Sequence, residues 1–143
     1  MAVVRFFVNC PPVPQPRQRH AVVNGRMRNY TREDHPVNTF KDFVCLAAKQ
    51  AYQGPLLKGP LRVSLLFLLP RPKRIVWKTR PMPRIWAAVT PDRDNLEKAV
   101  NDALTGILWV DDGQVCDGVV QKMYACGDES PGVIVEVVKL LSR

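Results

Sequence analysis

Four aspartates flank one short amphipathic stretch: Asp92 and Asp94 at its start, Asp111 and Asp112 shortly after its end. In an extended chain, residues two apart project to the same side, so Asp92 and Asp94 can offer two carboxylates to one point in space. Oxygen donors with no histidine or thiolate nearby favour a hard cation, Mg²⁺ or Mn²⁺, over zinc. Such an ion lowers the pKa of a bound water and stabilises a departing 3′ oxygen, which is the chemistry of phosphodiester hydrolysis. Lys98 lies one helical turn beyond Asp94, on the stripe of Asp102, where an ammonium can hold a phosphate or neutralise charge in the transition state. The spacing Asp94, Lys98, Asp102 equally suits a surface ion-pair ladder, and Asp-x-Asp by itself is a common chance pair.

The charge is unevenly spread. Residues 1–91 carry sixteen Lys and Arg against three acids, a balance of +13, whereas residues 92–143 carry five against ten, a balance of −5. A basic body attracts a polyanion by releasing its counterions, but concentrated carboxylates would repel that same partner. A divalent cation resolves the conflict; the other reading is an acidic face turned away from the partner. Cys10, Cys45, Cys116 and Cys126 show no close spacing, and with only His20 and His35 beside them they make a poor zinc cluster, so reduced thiols are expected. No apolar stretch approaches the ~20 residues that span a bilayer. Residues 2–8 are too short and too interrupted for a signal peptide, so a cytoplasmic protein that engages no membrane is expected.

The elements that must position these residues follow from periodicity. A chain of 143 residues, 46% apolar, is long enough for one core and one domain over 1–143. Residues 3–8 read as a strand, and the proline-rich stretch 10–16 as a stiff connector. Residues 20–23 and 26–30 flank Asn24-Gly25 as a hairpin, with Arg17, Arg19, Arg26, Arg28 and Arg32 on or beside it. Phe40, Phe43, Val44, Ala47, Ala48 and Ala51 recur at three- and four-residue intervals, predicting a helix over 37–52. The apolar run 61–69, closed by Pro70, predicts a strand buried on both faces. Residues 71–84 hold six basic residues and no acid, broken by three prolines. They read as a long mobile loop that contacts phosphates, with Trp77 either stacking on an unpaired base or packing on its own domain. Leu96, Ala99, Val100, Ala103 and Leu104 predict a helix over 94–104, with Asp94 as N-cap, Glu97 completing a capping box, and Gly106 as the stop. Runs 115–125 and 132–141 read as an antiparallel pair. The sum is α+β: two main helices and a mixed or antiparallel sheet.

Taken together, Pro91-Asp92-Arg93-Asp94-Asn95-Leu96-Glu97-Lys98, then Asp102-Ala103-Leu104-Thr105-Gly106, then Trp109-Val110-Asp111-Asp112-Gly113-Gln114-Val115 closely resemble the RusA family signature. That signature is Pro-Asp-x-Asp-Asn-x-x-Lys, then Asp-Ala-Leu, then an aromatic residue shortly before Asp-Asp-x-Gln. The resemblance implies a homodimeric α+β nuclease, often encoded by phages or prophages, that uses Mg²⁺ to place paired nicks across four-way DNA junctions in recombination and repair. It implies Asp92, Asp94 and Asp112 as metal ligands, Asp111 as a candidate fourth, and Lys98 as the active-site lysine. Arg93, where an apolar residue is common, and the long 71–84 loop depart from the pattern and bear on substrate range. The expected DNA contacts are Arg17, Arg19, Lys73, Arg74, Lys78, Arg80 and Arg93. Paired cutting calls for two sites about a two-fold axis, with residues 140–141 and the last strand as candidate interface. Three other readings remain: a less selective nuclease of flaps and forks, a non-catalytic DNA-binding protein, and a small-molecule phosphoesterase. The +13 body argues against the last.

Overall fold

In a computed structural model that describes residues 3–16, 19–23, 26–30 and 34–141, the apolar run ahead of Pro70 forms strand β4 (Leu61–Leu69) and takes the middle of the main sheet. Around it lie β1 (Val3–Val8), β5 (Ile85–Trp86), β6 (Val115–Asp117), β7 (Val120–Tyr124) and β8 (Gly132–Lys139), in the order β1-β8-β4-β7-β5 with β6 also beside β4. β8 runs antiparallel to β4, while β6 and β7 run parallel to it. Strands β2 (Arg19–Val23) and β3 (Arg26–Tyr30) form the expected hairpin apart from this sheet; its turn, residues 24–25, lies outside the described residues, as do Arg17 and Arg32. With helices α1 (Pro36–Ala51) and α2 (Arg93–Leu104), the described residues form an α+β fold of two helices and a six-stranded mixed sheet.

Two expectations need correction. The runs 115–125 and 132–141 do not pair with each other: β4 lies between β7 and β8, and Gly118 divides the first run into β6 and β7. An apolar strand gains most in the centre, where neighbours on both sides satisfy its N–H and C=O groups without water. Nor is β4 covered evenly on both faces. Leu61, Val63, Leu65, Phe67 and Leu69 are buried, whereas Arg62 is exposed and Ser64 and Leu66 are half-buried; Leu68 alone is buried on the second face. Leu69 is followed at once by the break at Pro70, so the continuous apolar reading of the sequence came from the last residues of the strand.

Helix α1 starts where His35 Nδ1 accepts the Val37 amide at 3.0 Å, with Pro36 at the first helical position, where a missing N–H costs nothing. Val37, Phe40, Val44 and Ala48 are buried, while Phe43 and Ala51 are exposed, so the buried stripe is narrower than the apolar periodicity. α2 buries Leu96, Ala99, Val100, Ala103 and Leu104 against α1 and β7. The Cys45 thiol donates to the Ala103 carbonyl across the two helices at 3.2 Å, and all four cysteines are free. No helix among the described residues is long and apolar enough to cross a membrane.

At Gly118 the backbone has φ +142°, and a Cβ would stand 1.8 Å from the Val63 carbonyl oxygen. Gly118→Ala is therefore expected to cost at least ~3 kcal/mol through backbone strain and displacement of β4, read as a lowered midpoint in urea denaturation.

Candidate active site

The N-cap of α2 is Asp92 and not Asp94, and the expected Asp94–Glu97 capping box is not formed. An aspartate at this position ordinarily spends its carboxylate on the free amides of the first turn. Asp92 makes no such bond. Asp94, in the first turn, accepts the Asn95 amide at 3.0 Å. Both carboxylates are exposed, at the positive end of the helix macrodipole.

The turn that delivers Asp92 contains a cis Thr90–Pro91 peptide and is tied to β7. Lys122 Nζ donates to the Pro91 carbonyl at 2.7 Å and to the Val89 carbonyl, and Arg93 Nη1 donates to the Val120 carbonyl at 3.3 Å. On the other side the Gln15 amide donates to the Asn95 carbonyl at 2.9 Å, which lays the proline connector along the start of α2. A groove of about 510 Å³ runs between Pro12, Val13, Pro14 and Gln15 on one wall and Thr90, Pro91, Asp92 and Asn95 on the other.

The second acidic pair is held at the opposite end of α2. Thr105, the C-cap, donates its hydroxyl proton to the Asn101 carbonyl (2.8 Å) or to Asp112 Oδ1, and accepts the Trp109 indole N–H at 3.1 Å. That indole also lies 3.5 Å from Asp112 Oδ1, and Trp109 is fully buried, so the Asp112 carboxylate is oriented by a fixed ring. Asp111 is engaged as a cap: its Oδ1 accepts the Gly113 amide at 3.1 Å while Gln114 Oε1 accepts the Asp111 amide at 3.0 Å. Gln114 Nε2 donates to the Leu57 and Gly59 carbonyls and so pins this turn to the approach to β4.

A twelve-residue helix is roughly 18 Å long at 1.5 Å per residue, so the 92/94 and 111/112 pairs do not meet within one chain. Among the described residues no three acidic, histidine or cysteine side chains are grouped to hold a metal. The joint metal ligation by Asp92, Asp94 and Asp112 that the family resemblance implies is thus not assembled along a single helix; its length and the short loop after it keep Asp112 beside Thr105. Lys98 is exposed one turn beyond Asp94, and the Asp94–Lys98–Asp102 ladder is not formed, because Asp102 pairs instead with Lys41 of α1 at 3.9 Å. Thr105 and Lys122 carry no motif of their own and could not have been singled out from spacing.

Residues 71–84 are pinned rather than trailing. Arg71 donates to the carbonyls of Ile75 (2.9 Å), Pro83 (2.7 Å) and Ala125 (3.1 Å). The Trp77 ring is half-buried, with the Arg80 guanidinium 3.7 Å and the Arg71 guanidinium 5.0 Å from its centroid, so it packs on its own chain. Lys73, Arg74, Lys78 and Arg80 are exposed on this arm, and Trp86 on β5, 66% exposed, is the aromatic that stands open beside it. Arg84 forms a forked pair with Glu129, whose carboxyl is held at about 2, well below the ordinary 4.5, chiefly by those hydrogen bonds. The Arg84 guanidinium shifts upward for the same reason.

A family model described as Endodeoxyribonuclease RusA matches residues 9–138. An uncharacterized protein, YqaN, of Bacillus subtilis (strain 168) is 30% identical over 142 residues, covering 96% of each chain.

Thr105→Val removes the hydroxyl between the Trp109 indole and Asp112, and is expected to slow catalysis about tenfold, the loss of one ~1.4 kcal/mol interaction, with unchanged affinity for nucleic acid in gel retardation. The Arg84–Glu129 pair stabilises above the ordinary glutamate range near 4.5 and is lost as pH falls towards 2, because a depressed carboxyl must be protonated to break it. Glu129→Gln should flatten the acid limb of thermal unfolding in that window, by less than ~1 kcal/mol for a pair this exposed.

Proposed function

Because the chain belongs to the RusA endodeoxyribonuclease family, we propose that it resolves four-way (Holliday) DNA junctions by Mg²⁺-dependent paired cleavage, as a homodimer of a single domain spanning 1–143, in the cytoplasm of a bacterial or phage-infected host cell. The observation that carries this reading is the Asp92 carboxylate, which has no hydrogen-bond partner among the described residues. It occupies a capping position without capping, at the positive end of a helix and on the rim of a groove. A purely structural aspartate there would be bonded to the first-turn amides.

The donor set suits a hard cation, being all oxygen and exposed, with Asp112 pre-oriented by Trp109. Asp92, Asp94 and Asp112 would hold Mg²⁺, or Mn²⁺; when bound, the ion supplies a water of lowered pKa and neutralises charge on the departing 3′ oxygen. The residues around it have separate work. Lys98 and the amino end of α2 attract the scissile phosphate. Lys73, Arg74, Lys78, Arg80 and Arg93, with Arg17 and Arg19 of the hairpin region, contact the phosphates of the flanking arms.

The distance between the two acidic pairs adds a requirement. If Asp92 and Asp94 are to share a cation with Asp112, the last must come from a second copy, with the two α2 helices running antiparallel about the two-fold axis. Each chain then lends the carboxyl end of its helix to the other chain's amino end. Dimerisation on this reading completes each site as well as duplicating it.

Asp92→Asn is expected to abolish Mg²⁺-dependent cleavage of a labelled four-way junction, a loss of at least ~10²-fold, while retaining junction binding. Cleavage at the parental rate would remove Asp92 from the site. Mixing Asp92→Asn with Asp112→Asn chains then separates the two geometries. Shared sites restore one intact centre per mixed dimer and so a single nick, whereas sites confined to one chain leave the mixture inactive. Flap and linear duplex substrates run alongside measure how selective the nuclease is.

A further inference from the structure

The turn that delivers Asp92 is held by a lysine that the acidic motif does not call for. Lys122 sits on the helix-facing side of β7, two residues from Val120 and from the buried Tyr124. Its methylene stem can be covered there while the ammonium reaches the strand's edge. The ammonium does not meet a carboxylate: among the described residues Lys122 takes part in no ion pair, and its protons go to the Pro91 and Val89 carbonyls. Two backbone carbonyls of this turn, one residue before Asp92 and three before it, are thereby fixed to the central sheet.

Three positive groups gather at this turn. The Lys122 ammonium, the Arg93 guanidinium on the Val120 carbonyl, and the positive end of α2 all bear on the same few residues. Tying down a surface turn needs only a neutral donor. A cation becomes useful where Asp92 and Asp94 supply negative charge next door and where a phosphate is to be brought in. A sheet strand is also a rigid platform, so the tie transmits little play to the residue that follows.

Resting on the reading that Asp92 belongs to the cleavage centre, we propose that Lys122 is a positioning residue for it, clamping the Val89 and Pro91 carbonyls so that the Asp92 carboxylate leaves the turn in a fixed place. It touches neither substrate nor metal on this account and acts through the backbone.

The test compares Lys122→Met and Lys122→Arg with Asp92→Asn and the parent chain, measuring single-turnover cleavage of a four-way junction, the Mg²⁺ concentration for half-maximal rate, and junction affinity in EDTA by gel retardation. Lys122→Met should cleave at least about tenfold more slowly, since small displacements of a reacting group carry penalties of this size or larger. It should need several-fold more Mg²⁺ yet bind the junction in EDTA within about twofold of the parent, and Lys122→Arg should recover most of the rate. Parental cleavage and Mg²⁺ demand in Lys122→Met, with Asp92→Asn inactive, overturn the assignment of Lys122 alone. Parental cleavage by Asp92→Asn overturns the reading of the centre and Lys122 with it. A Lys122→Met chain that loses junction binding in step with cleavage marks the lysine as a support of the fold, which also overturns the proposal.

Discussion

A twelve-residue helix separates what stands at its two ends by roughly 18 Å, and that length governs how the acidic residues of this protein can be used. Asp92 and Asp94 open α2, and Asp112 is bonded to the Thr105 that closes it. Bending the helix or lengthening the following loop could bring them together, but neither is available. α2 is buried along Leu96, Ala99, Val100, Ala103 and Leu104, so it is held along its length against α1 and β7. The loop is fixed by Gln114, whose amide reaches the Leu57 and Gly59 carbonyls ahead of β4. Two acidic pairs thus stand at fixed places at opposite ends of one rod.

Both ends of α2 are referred to the same central strand. The amino end is tied through Lys122 and Arg93 to β7, which runs parallel to β4 from Leu65 to Leu69. The carboxyl end is tied through Gln114 to the residues leading into β4, and through Val115 to Leu61 itself. A strand whose side chains are buried over most of its length moves as part of the core, and interiors packed at crystal-like density transmit displacement rather than absorb it. The spacing of the carboxylates is accordingly a property of the core, even though every one of them is exposed.

What could be read without coordinates followed from how local each feature is. α1, α2, β1, β4 and the hairpin were legible because periodicity and turn residues are encoded within a dozen neighbours. The pairing of β7 with β4 instead of β8 was not, because nothing in runs 115–125 and 132–141 records that a third strand lies between them. Asp94 was the natural N-cap by pattern, yet the cap lies two residues earlier, at Asp92; both are aspartates, and composition alone cannot separate them. The candidate ligands were visible as residues but not as a geometry, since a separation along a helix fixes a distance only once both flanking turns are known. Lys122 depends on contacts with carbonyls some thirty residues back in the chain, whereas the partners of Thr105 and of Trp77 are close in sequence but sit at spacings that no periodicity marks.

Net charge overstates how many cations are free to meet a polyanion. Arg5, Arg62 and Arg84 are paired with Glu136, Asp117 and Glu129, and Lys41 with Asp102; Arg71 and Lys122 are spent on backbone carbonyls. Arg5, Arg62 and Glu136 lie on the strand face turned from the helices, so that face is close to electrically balanced despite belonging to a basic chain. Among the exposed cations with no carboxylate partner among the described residues, Lys73, Arg74, Lys78 and Arg80 lie on the arm between β4 and β5 and Arg93 and Lys98 on the first turns of α2, while Lys49, Lys58 and Lys139 lie elsewhere. Counterion release rewards only charges that phosphates can approach. Which guanidinium and ammonium groups folding has left unpaired therefore bears on the attraction of a polyanion more than the net charge does.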